Sequence, residues 1–107
     1  MIDLNLVLKC LNDARKVLGK EPLNTIPKGV VGSACLCPVA QAFDCEAVVS
    51  SLEIALDTLD AEDCFFAENV SNVWGTRYRG EYSVVPPPIL ADFIEAFDDG
   101  KYPELVR

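Results

Sequence analysis

Leu4, Val7, Leu8, Leu11, Ala14 and Leu18 recur at the helical period, and Leu6, Cys10 and Val17 widen that stripe to about half of the helix circumference. Asp3 can cap such a helix, and Gly19 stands where a left-handed C-terminal residue belongs, so the spacing predicts a helix over residues 3 to about 19. A helix this apolar has to be covered from more than one side. The remaining chain must therefore fold around it. Asn5, Lys9, Asn12, Asp13, Lys16 and Lys20 form its polar strip, most simply its solvated side, with a basic docking strip as the alternative.

A connection of roughly ten residues follows, marked by Pro22 and by Pro27-Lys28-Gly29, with Leu23 and Ile26 expected to tuck beneath it. Then comes the most unusual stretch. Gly29 and Gly32 bracket Val30-Val31, which reads as a short apolar crossing, and Ser33 can cap a helix running to about Phe43. A second start lies at Cys37, with Pro38 as the first helical residue.

Residues 46–59 fit a helix through Val48, Val49, Leu52, Leu56 and Leu59, and a strand through Val48, Ser50, Leu52, Ile54 and Leu56. The β-branched residues around Ser50-Ser51 favour a strand or a short hairpin. Asp60 to Trp74 is expected to be helical, with Phe66, Val70, Val73 and Trp74 inward and Gly75 as the stop. Thr76 to Val85 alternates as a strand, perturbed at Gly80. Three prolines open a last helix over about 87–99, which buries Ile89, Leu90, Phe93, Ile94 and Phe97, and Tyr102-Pro103-Glu104-Leu105 makes a final turn. The sum is a single α+β domain over residues 1–107, three or four helices on a two- or three-stranded sheet. An all-α domain is the alternative if 46–59 is helical. The two terminal helices are expected to share one core through Leu8, Leu11, Phe93 and Phe97.

The net charge of −8 is unevenly placed. Residues 1–32 carry five basic and three acidic groups, whereas the rest carries four basic and fourteen acidic. Such a surface repels phosphate backbones and anionic lipid, so nucleic acid and membrane are disfavoured and a basic protein partner is favoured. There is no apolar run of membrane-spanning length, and the residues after Met1 do not read as a secretory leader, which points to the cytoplasm.

The chain has no histidine, which removes the commonest acid–base group and metal ligand. Its five cysteines, Cys10, Cys35, Cys37, Cys45 and Cys64, are odd in number and irregular in spacing, unlike a disulfide framework. Cys35-x-Cys37 is shorter than a zinc knuckle and has no second pair, so neither metal nor cofactor is expected. A thiol or small-ligand site at Ser33, Cys35 and Cys37 is the enzymatic alternative, because a helix start favours thiolate. Gly29-x-x-Gly32-Ser33 lacks the ending of a phosphate loop.

Trp74, Arg77, Tyr78 and Arg79 form the aromatic–basic cluster, suited either to pairing with local carboxylates or to a protein contact. Asp92, Glu95, Asp98 and Asp99 recur along one side of the last helix. These eight residues are the candidate partner-binding positions. A third reading is an acidic mimic of nucleic acid.

The pieces Pro27-Lys28-Gly29, Gly32-Ser33-Ala34-Cys35-Leu36-Cys37-Pro38-Val39-Ala40 and Pro86-Pro87-Pro88 through Phe97-Asp98-Asp99-Gly100-Lys101-Tyr102-Pro103-Glu104-Leu105 resemble small proteins of actinobacteria and their phages. That group has no assigned activity, so the resemblance implies no functional residue. The reading is a small acidic interaction domain.

Overall fold

The computed structural model describes residues 2–17, 19–33, 36–43, 47–56, 63–77 and 83–106, with backbone alone at 47, 48, 56 and 63–67. Helix α1, Leu4–Val17, begins with the Asp3 carboxylate accepting from the Asn5 N–H at 2.9 Å. It ends with Gly19 N–H donating to the Lys16 carbonyl and Lys20 N–H to the Arg15 carbonyl, the paired closure of a Schellman motif. The same closure ends α3, Asp63–Trp74, at Gly75-Thr76 and α4, Pro88–Asp98, at Gly100-Lys101. Between them lie a short α2, Pro38–Ala42, and three strands: β1, Ala47–Val49, β2, Ile54–Leu56, and β3, Ser83–Val84. The chain is α+β.

The sheet is antiparallel in the order β1-β2-β3, with Val49 opposite Ile54 and Ile54 opposite Val84. Ser50-Ser51, within the segment that could have been helix or strand, is where the hairpin turns. Ser50 N–H donates to the Glu53 carbonyl, and Ser50 Oγ accepts from the N–H groups of Leu52 and Glu53. Of the expected strand from Thr76 to Val85, Ser83–Val84 is strand among the described residues; Thr76 N–H is already used in closing α3, and Pro86 cannot donate. Val85 N–H instead reaches back to the Arg77 carbonyl. The expected bend at Gly80, and the stretch 60–62 before α3, lie outside the described residues.

α1 packs against both α3 and α4. Val7, Leu11 and Ala14 meet a core that includes Phe43, Val70, Leu90, Phe93 and Phe97, all essentially without solvent contact. Leu8 is only half-buried, so Leu11 carries the shared core with Phe93 and Phe97. On α3, Val70 is buried but Val73 is exposed, and Ser71 is enclosed instead. Ile89 is half-buried, packed against the edge of the core.

Two polar residues of α1 build the next connection. The Asn12 amide donates to the Leu23 carbonyl and accepts from the Leu23 N–H at 3.0 and 2.7 Å. Arg15 is buried, with Nε on the Glu21 carbonyl and Nη1 on the Ala42 carbonyl at the end of α2. The helical spacing places Asn12 in the solvated strip. Its side chain is a clamp instead, and Leu23 and Ile26 pack half-buried against the core.

Candidate functional site

Lys28-Gly29-Val30 runs between two other pieces of backbone. Gly29 N–H donates to the Leu105 carbonyl at 2.8 Å within a parallel bridge to Val106, and Val30 N–H donates to the Leu36 carbonyl at 2.8 Å. A Cβ on Gly29 would stand 2.5 Å from the Leu36 carbonyl oxygen and 2.6 Å from Pro38 N, so only glycine lets the strands close. The chain then turns over Val30–Ser33, with Gly32 at φ +77 and Ser33 N–H on the Val30 carbonyl. Gly32 N–H donates to Asp98 Oδ1 at 3.2 Å, which ties the turn to the end of α4.

The expected apolar crossing is a surface turn. Because backbone fills the interior here, Val30, Val31, Leu36 and Val106 are left 37%, 39%, 43% and 38% exposed. Ser33 does not start a helix: Cys37 is the residue before α2, at φ −69 and ψ 163, and Pro38 opens it. The ring of Pro38 drives Cys37 out of helical geometry, and an N–H missing at the first helical position costs nothing.

Among the enzymatic candidates, Ser33 is half-buried with its N–H on the Val30 carbonyl, Cys35 lies outside the described residues, and Cys37 is buried. Burial pushes the Cys37 thiol up, partly opposed by the backbone N–H groups of Ala40 and Val39 and assisted by the Asp98 carboxylate. Burial likewise raises Cys10, with Asp13 adding and Lys9 opposing. Both are free thiols that favour the neutral form at neutral pH, contrary to what a nucleophile at a helix start needs. Among the described residues no three potential ligands converge as a metal site.

Trp74, placed in the aromatic–basic cluster, points into the fold. Its Nε1 donates to the Cys10 carbonyl at 2.8 Å, and its ring meets Phe43 edge-on at 6.5 Å. It joins α3 to α1 and is not a free contact residue. Arg77 is exposed, while Tyr78 and Arg79 lie outside the described residues.

Asp92, Glu95, Asp98 and Asp99 are all exposed and fall within a sector of about 120° on α4. Among the described residues none of them is in an ion pair; the pair present is Lys9–Asp13 on α1 at 3.0 Å. A separate groove of about 570 Å³, lined by Ile2, Leu4, Ala96, Lys101, Tyr102 and Glu104, opens between the start of α1 and the turn Pro103–Leu105. Sequence reading missed this groove and the exposed turn. The spacing Gly29-x-x-Gly32 was the available signal for the turn, since glycines bracketing two valines mark a backbone approach as readily as a crossing.

No family model, curated protein or solved structure matches the chain. Among the described residues no helix is long and apolar enough to cross a membrane.

Proposed function

We propose that this chain is a cytoplasmic interaction module that binds a basic protein through the carboxylate row of α4. The supporting observation is that Asp92, Glu95, Asp98 and Asp99 stand exposed on one face without an ion pair among the described residues. A row of unneutralised carboxylates attracts cationic groups and accelerates their arrival, and salt weakens it over about 10 Å. The free thiols of Cys10 and Cys37 suit a reducing compartment. A protein that occupies a groove built for nucleic acid is one case of the same chemistry.

The test uses a labelled peptide of alternating lysine and serine. Asp92→Lys with Glu95→Lys is expected to weaken its binding several-fold at low salt while leaving the melting temperature nearly unchanged, because both side chains are exposed. Asp98 is left in place because it holds Gly32. Binding that ignores both the reversal and the ionic strength refutes the reading.

A further inference from the structure

Resting on that reading, we propose that the partner's contact segment is a short basic amphipathic peptide whose apolar side seats on Val30, Val31, Leu36 and Val106. Its lysines or arginines then meet the α4 carboxylates. The four aliphatic residues are joined by backbone: Val30 to Leu36 through one hydrogen bond and Gly29 to Val106 through the parallel bridge. The Asp98–Gly32 bond brings the end of the acidic row to the same turn. Apolar contact and negative charge are therefore contiguous, the arrangement that a segment basic on one side and apolar on the other complements.

Two other occupants fit less well. A second copy of the chain would bring together two surfaces of the same sign, since the residues after Gly32 hold fourteen acids against four bases. Four side chains exposed by about two-fifths also fall well short of the roughly 800 Å² per partner of a stable interface. Strand addition is disfavoured by the backbone, because the N–H groups of Gly29, Val30, Gly32 and Ser33 all have acceptors within the fold. What the turn offers is side chain. Its shape is set in advance by the Gly29 approach, so little ordering opposes binding.

Two synthetic peptides of equal length and charge separate the terms, one of leucine and lysine with helical amphipathic spacing, the other of serine and lysine. By fluorescence anisotropy the leucine peptide is expected to bind about tenfold tighter. Val31→Ser with Leu36→Ser is expected to erase that preference and leave the salt-dependent binding common to both peptides. Val106→Ser, outside the turn, is expected to reduce the preference in part and serves if the double variant does not fold. Equal affinity for the two peptides, or a preference that survives both variants, overturns the proposal while the charge reading stands. Binding of both peptides that neither Asp92→Lys with Glu95→Lys nor added salt weakens overturns the charge reading instead. Binding to neutral phosphatidylcholine vesicles that Val31→Ser with Leu36→Ser abolishes assigns the turn to lipid and also overturns the proposal.

Discussion

The contact of α1 with α4 and the stretch Lys28–Cys37 use apolar residues in opposite senses. In the first, Leu11, Phe93 and Phe97 fill the space between two backbones. In the second, backbone closes on backbone at Gly29, and the valines are turned out to solvent. Both are rich in apolar residues, so composition does not separate them. What separates them is the distance between main chains: helices need side chains to bridge the gap, whereas the Gly29 crossing has no room for even a methyl group.

Breaking the helix contact should have the largest effect. Leu11→Ala removes a fully buried side chain and is expected to cost about 2–5 kcal/mol in a denaturant titration. A loss under half a kilocalorie would mean that the core closes over the gap, and that the helices do not depend on side-chain filling.

The opposite change tests the crossing. Gly29→Ala adds one methyl where the nearest neighbours are main-chain atoms of Leu36, Cys37 and Pro38, which cannot rotate aside. The expected cost is about 1–3 kcal/mol. It should be accompanied by faster amide exchange at Val30, whose bond to Leu36 has to lengthen. A neutral Gly29→Ala would show that the backbones are not in close contact.

The smallest effect sharpens the boundary between the two regions, at Cys37. Burial holds its thiol above the ordinary value of 9.0, so the unfolded chain releases this proton first as pH rises. Its stabilising share is fully present below about pH 9 and declines as pH climbs through the folded-state value. Under reducing conditions the stability gap between wild type and Cys37→Ala is expected to narrow from pH 8 to pH 11. A constant gap would place the thiol in water.

Periodicity reads well where one side-chain face meets a core, and α1 and α4 show it. Asp3, Gly19, Pro88 and Gly100 stand at or within a residue of their expected ends, because capping and closure are local chemistry. Arg15 and Asn12 were not legible, since the carbonyls of Ala42, Glu21 and Leu23 that they hold come from the fold. Trp74 was misread for a related reason. Beside Arg77 and Tyr78 in the chain it resembles a contact residue, yet its partner is the Cys10 carbonyl, 64 residues away. Exposure of the α4 acids was legible, whereas the Asp98 bond to Gly32 was not.

The Asp98–Gly32 bond spans 66 residues of chain. Such a contact cannot exist until the turn and the end of α4 have been brought together, so it depends on the tertiary fold and not on the local chain. The turn that presents Val30 and Val31 is anchored to the fold by such contacts, at Asp98 and again at Leu105 and Val106. α1, by contrast, is capped at both ends by its own neighbours in the chain. Helical structure in α1 by itself therefore does not create this surface. A partner that recognises the turn and the acidic row together recognises a completed fold, and passes over chains still on the way to it.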